Sequence, residues 1–262
     1  MKKVLLAVLV TATLLVSLTA TVSAAPPDDN PGKGPPELER VDFIHYAADF
    51  APGKPTGTPG KGPGGGNGDK DEAPIDHYKL SKLMLTDTAK YYIDTSGSGV
   101  ANSKAIIAIT ESFEAWDDIT TAYDDNGGLF SYAGAPPSAA GRIQDNTNTV
   151  SWGTLDAGIL AVATMWYYPG KPPKGIIEFD VVFNTLYSWG IDPDGEGSLT
   201  ISVYDIQNIA THEAGHPVGL NDLYEEKYLE LTMYGYSDAG ETYKHSLESG
   251  DRLGAQALYG AP

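Results

Sequence analysis

The stretch THEAGHPVGLND, residues 211 to 222, limits what this chain can fold into more than any other. His212 and His216 stand four apart, so on a helix they share one face and can offer both imidazoles to one ion, with Glu213 about a quarter turn away. Gly219 and Asp222 follow at three and six residues beyond His216. A glycine there ends the helix in a left-handed turn, which swings the chain back and lets Asp222 act as a third ligand.

The fold must therefore supply a helix that starts before the histidines and a loop that returns beside them. Asp205 reads as the N-cap, with Ile206, Ile209 and Ala210 on the buried side. The spacing serves zinc hydrolysis. Imidazoles and a further ligand hold the ion, an open position takes a water whose pKa falls toward ~7, and the adjacent carboxylate accepts its proton. Pro217 opposes the helix, because it lacks the N–H that would bond the Glu213 carbonyl and its ring crowds that carbonyl, at ~3 kcal/mol in a helix interior. The helix ends near Gly219, so the expected damage is a kinked last turn at His216. On this reading Pro217→Ala tightens zinc binding or raises activity.

Upstream of this motif the pattern is that of a mixed domain. KYYID, residues 90 to 94, has β-propensity, and Ile106, Ile109, Phe113 and Trp116 form one apolar helix stripe. GLFSY, NTVSW, GILAVATMWYY and GIIEFDVVFN are short Val-, Ile- and aromatic-rich runs separated by Gly, Pro, Asn and Asp, and PGKPPKG makes the last two an antiparallel hairpin. A short helix near SGDRLGAQALYG closes the chain. Strand, helix, several strands, helix, loop and helix read as α+β.

Ahead of the domain, residues 1–24 read as a signal peptide. Lys2 and Lys3 precede an apolar run from Val4 to Leu18, and small residues stand at Val22 and Ala24. Residues 25–74 are rich in proline and glycine and read as a flexible or pro-like segment. Within it LERVDFIHYAADF, with Val41, Phe43 and Ile44, reads as a short strand or adhesive peptide. Residues 75–262 are the expected catalytic domain. The chain is therefore expected to be secreted, without stable membrane insertion after signal cleavage. Its 17 Lys and Arg face 35 Asp and Glu; losing Lys2 and Lys3 with the signal takes 17 to 15 and the net charge from −18 to −20. So acidic a surface repels phosphate backbones, and no nucleic acid is expected as a partner. With no cysteine, no disulfide contributes to stability.

HEAGHPVGLND, a methionine turn at TMYGY, the strand GILAVA and the closing LGAQALYG together resemble the metzincin metallopeptidases, and within them the matrixin group (peptidase M10 type), over roughly residues 86 to 260. The resemblance implies a metzincin-like catalytic domain: a twisted, mostly parallel sheet with an antiparallel edge strand, an active-site helix and a C-terminal helix. It also implies a secreted zinc endopeptidase acting on protein or peptide substrates that lie extended against GILAVA. By that carry-over His212, His216 and Asp222 bind Zn2+, Glu213 is the general base, Met233 is the floor of the site and Gly219 the helix-terminating turn. Many matrixins have histidine where Asp222 stands; a carboxylate leaves the ion nearer +1 than +2, so its water is less acidified and Glu213 more needed. Tyr234 and Tyr236 flank Gly235, where astacins carry a tyrosine, and neither is assigned a role.

Asp192, Asp194 and Glu196 in DPDGEG read as a plain acidic turn, with a Ca2+ loop as the alternative. His45, His77 and His245 lack ligand spacing and read as surface or loop histidines, with no second structural zinc. The four tryptophans read as core or cleft wall. Glu230 or Glu241 as third ligand explains neither Gly219, Asp222 nor the methionine turn. The rival function is a non-catalytic extracellular binding protein on the same fold, with a structural or decayed metal site.

Overall fold

The fold is that of a computed structural model, which describes residues 37–50, 76–123, 127–192, 199 and 202–262. In chain order these residues form β1 (Glu39–Ala47), β2 (Leu83–Met84), β3 (Ala89–Ile93), α1 (Asn102–Asp117), β4 (Phe130–Tyr132), β5 (Asn148–Gly153), β6 (Ile159–Tyr167), β7 (Lys174–Asn184), β8 (Trp189–Gly190), β9 (Tyr204–Asp205), α2 (Ile206–Val218), β10 (Tyr236–Ser237) and α3 (Ser249–Tyr259). The strands of the main sheet lie in the order β10, β1, β6, β7, β5, β3, β4, with β2 also beside β7. Pairings β3–β4, β3–β5 and β5–β7 are parallel, whereas β6 runs antiparallel to β7 as the hairpin reading requires. The fold is thus α+β, with a mixed, mostly parallel sheet.

Burial explains which runs became central. From Leu160 to Trp166 every residue of β6 is buried, as suits a strand covered on both faces and both edges. The stripe on α1 meets the sheet: Phe113 stacks on Tyr91 at 4.4 Å between ring centres and packs edge-on against Phe130 at 4.8 Å. Burying each such ring contributes about 1.5–3 kcal/mol. Trp116, fully buried, donates its indole N–H to the Thr211 carbonyl at 2.9 Å, and the Ser112 hydroxyl donates to the Gln207 carbonyl at 3.2 Å. Helix α2 is thereby fixed against α1 on its upstream turns.

The sheet differs from the sequence reading in one place that matters. The piece Glu39–Ala47, read from sequence as a short strand or adhesive peptide within the segment 25–74, is a strand built into the sheet. β1 pairs antiparallel with β6, from Glu39 opposite Tyr167 to His45 opposite Ala161, and β6 is consequently not an edge. The Lys174 ammonium donates to Glu39 at 2.8 Å, and Thr164 and Arg142 donate to the Asp42 carboxylate at 2.7 and 2.6 Å. No helix among the described residues is long and apolar enough to cross a membrane.

Candidate metal centre

Helix α2 starts as its sequence dictates. The Asp205 carboxylate accepts the Asn208 amide at 2.7 Å, satisfying one of the free N–H groups of the first turn. Its end answers the proline question. Gly219 takes a left-handed conformation (φ 115°), its amide bonds the His216 carbonyl at 2.9 Å, and the Leu220 amide bonds the Gly215 carbonyl at 3.0 Å. This paired closure leaves Pro217 in the last turn, where the helix runs through it to Val218.

The turn brings the candidate ligands together. Single ligand atoms from His212, His216 and Asp222 lie within 4.8 Å of one another, all three residues being buried. An Asp222 oxygen is 3.1 Å from His212 Nε2 and 3.6 Å from His216 Nε2. The other ring nitrogens are committed: Nδ1 of His212 faces the Thr232 carbonyl at 2.7 Å and Nδ1 of His216 faces the Leu220 carbonyl at 3.0 Å. A carbonyl can only accept, so each Nδ1 carries a hydrogen and each Nε2 is turned toward Asp222 at the centre.

The electrostatics suit a divalent cation. His216 Nε2 is buried without a hydrogen-bond partner among the described residues, a defect that a metal ion removes. Burial lowers the His216 imidazole to about 4, outweighing the opposite pull of Asp222, so the ring is neutral at ordinary pH. Burial alone would raise Asp222, but His216, His212 and the Tyr224 hydroxyl hold its carboxyl below the usual value. Burial and the Asp222 charge push Glu213 well above its ordinary 4.5, against the pull of Lys244. The donor set, two imidazole Nε2 atoms and one carboxylate oxygen, fits Zn2+.

Met233 is buried below α2, where a Cβ on Gly215 would run into its sulfur and into Trp116. Asp251 of α3 holds the turn from beneath, accepting the Thr232 and Met233 amides at 2.8 and 3.2 Å. At Gly235 a Cβ would strike the Tyr224 ring, and Tyr224 instead donates its hydroxyl to Asp222. That role was not read from the sequence, although Tyr224 stands only two residues past the candidate ligand.

Other expectations fare differently. His45 is no surface histidine: it is fully buried, its ring 3.9 Å from that of His212 and its Nδ1 3.4 Å from Glu213 Oε1. His45, His212 and Glu213 form a second grouping able to hold a metal, sharing His212 with the first. Alternation of Val41, Phe43, His45 and Ala47 on one face of β1 was the available signal. His245 is part-buried on the N-cap carboxylate of Asp205 at 2.7 Å, and His77 stacks on Tyr228. Asp192 is buried, its amide donating to Asp205, while Asp194 and Glu196 lie outside the described residues. Glu241 is engaged with Lys244 and Asn208 rather than with the histidines.

An α+β domain whose helix and returning loop gather two histidines and a carboxylate above a buried methionine defines a candidate metallohydrolase class. Comparison makes this specific. The matrixin family model matches residues 85–260, and the chain belongs to that family of metallopeptidases. It is also similar to "Matrix metalloproteinase-C" of Caenorhabditis elegans, 28% identical over 189 residues. That match covers 70% of this chain and 29% of the relative, so the chain spans less than a third of that protein's length.

Proposed function

We propose that the chain is an exported, zinc-dependent endopeptidase in which His212, His216 and Asp222 hold the metal and Glu213 is the general base. The observation that carries this is the convergence of ligand atoms from His212, His216 and Asp222 within 4.8 Å of one another, with both Nδ1 atoms tied to backbone carbonyls. Bound zinc would supply Lewis acidity to a water and to the scissile carbonyl oxygen. Glu213, one residue from His212 on α2, takes the proton of the attacking water and returns it to the leaving amine. Its raised affinity for protons suits both halves of that transfer. Tyr224, through its hydroxyl on Asp222, holds the carboxylate orientation.

Substrates are polypeptides taken up in extended form, and a signal at 1–24 cleaved after Ala24 carries the protein out of the cell. Purified protein should hold about one zinc per chain, and Glu213→Gln should retain that zinc while hydrolysis drops by ~10²-fold or more. An unchanged rate in that variant removes Glu213 from its role.

The second reading, a non-catalytic binding protein on this fold, is favoured by one observation: β1 fills the approach to the histidines, with Phe43 stacked on the His216 ring at 4.3 Å. Casein digestion with and without chelator separates the two.

A further inference from the structure

Tyr224 joins the candidate metal centre to solvent. His212, His216, Glu213 and Asp222 are all buried, whereas Tyr224 is 46% exposed. Its hydroxyl nevertheless hydrogen-bonds the Asp222 carboxylate, an oxygen of which lies 3.1 and 3.6 Å from the two Nε2 atoms. The hydroxyl is thus one hydrogen bond away from the point where the candidate ligands converge.

The base of the side chain is fixed. The Leu223 amide donates to the Met233 carbonyl and the Gly235 amide to the Leu223 carbonyl, each at 2.9 Å, so the chain just before Tyr224 is laced to the methionine turn. A Cβ on Gly235 would meet the Tyr224 ring at 2.5 Å and an Asp222 oxygen at 3.1 Å. The missing side chain at 235 is therefore what lets the ring lie over the turn and against the carboxylate. The ring leans on Tyr236, 5.3 Å between centres. Tyr234 and Tyr236 are themselves buried and pack edge-on at 5.5 Å, so of these three tyrosines it is Tyr224 that combines exposure with a bond to a candidate ligand.

A phenol donates one hydrogen bond, and the strongest acceptor in reach takes it. A carboxylate that shares its charge with a cation accepts more weakly than a free one, so the hold of Asp222 on the hydroxyl loosens when the metal site is filled. The scissile carbonyl oxygen is a modest acceptor in the bound peptide. It becomes a strong one when water attacks the carbon and the C=O π electrons move onto the oxygen. A donor that changes partner at that moment stabilises the transition state more than the ground state, which raises kcat. Asp222 sets the need for it, because an ion brought nearer +1 by a carboxylate offsets less of the oxygen's charge than one held by neutral ligands.

The geometry points to Tyr224 as a further catalytic residue, whose hydroxyl leaves Asp222 and donates to the scissile carbonyl oxygen as that oxygen becomes negative. The hydroxyl keeps its proton throughout. Glu213 takes the proton of the attacking water and passes it to the amine nitrogen as the C–N bond breaks, the C=O bond re-forms and Tyr224 returns to Asp222. The inference rests on the peptidase reading, and the test below separates the two.

Tyr224→Phe deletes the hydroxyl and keeps the ring over Gly235. Full-length wild type and variant are compared at saturating zinc with quenched peptides and with two peptide inhibitors of one sequence. One is a phosphinate, whose tetrahedral anionic centre imitates the charged carbonyl oxygen; the other is a thiol, which offers the metal a sulfur and no such oxygen. We expect kcat to fall at least about tenfold with KM little changed, and phosphinate affinity to fall by the same factor as kcat/KM. Thiol affinity should stay within about threefold of wild type, since its binding does not use the hydroxyl. Equal weakening of both inhibitors, or lowered zinc affinity with an unchanged rate at saturating zinc, means that the hydroxyl serves to hold Asp222 in place and overturns the inference alone. A wild type that carries zinc but neither cleaves peptides nor binds the phosphinate overturns the peptidase reading, and the inference with it.

Discussion

His212 is oriented by Thr232, whose carbonyl takes the Nδ1 hydrogen at 2.7 Å, and Thr232 is in turn held by the Asp251 carboxylate through its amide at 2.8 Å. A candidate ligand on α2 is thus positioned from α3 through the methionine turn. Asp251→Asn replaces one of the two accepting oxygens with a donor that faces backbone N–H groups. We expect zinc affinity to fall about tenfold, as such supporting contacts usually allow, and stability to fall by about 1–3 kcal/mol. Zinc competition with a chromogenic chelator and denaturant unfolding check the two parts separately.

Pro217 should be nearly silent. The closing hydrogen bonds of α2 go to the Gly215 and His216 carbonyls, and neither uses the amide that proline lacks. Pro217→Ala is expected to keep zinc affinity within about threefold and stability within about 1 kcal/mol, since the position is terminal rather than interior. This reverses the expectation drawn from sequence, and a tenfold gain in affinity would restore it.

Gly215 has a purely steric task. An added methyl meets the Met233 sulfur and the Trp116 ring, both buried, with no room to retreat. Gly215→Ala should cost about 1–3 kcal/mol by overpacking and should lower zinc affinity by displacing the floor of the site. Thermal unfolding at matched zinc concentration gives the answer, and an unshifted midpoint would show that the floor gives way freely.

Asp180 predicts a pH dependence away from the metal. Its carboxyl is pushed from an ordinary 3.8 up to about 7, chiefly by burial and with Glu178 adding to it, against hydrogen bonds from Thr149 and Ile143. Between those values the folded chain binds more protons than the unfolded one, so this group's contribution to stability declines as pH rises through that window. Asp117, also raised to about 7 by burial, acts in the same direction. The stability of the wild type relative to Asp180→Asn should therefore fall between pH 4 and 7, as read from unfolding free energies; a flat difference refutes it.

Whatever depends on local spacing is legible in the residues alone. Two histidines four apart, a glycine three further and an aspartate after it specify a helix, its stop and a returning chain, because 3.6-residue geometry and the left-handed turn leave little else. Asp205 as cap, the α1 stripe and the β6–β7 hairpin were legible for the same reason. Tertiary structure alone decided which distant side chains complete the site. His45 and Ser237 are 192 residues apart, yet bond at 3.0 Å. A strand edge offers the same row of amides and carbonyls to any extended segment, so nothing local in ERVDFIHYA states that it pairs with β6 and delivers a histidine to Glu213. The buried Lys244 and the Tyr224 hydroxyl on Asp222 were hidden likewise, since burial and partner are properties of the packed chain and not of the residue.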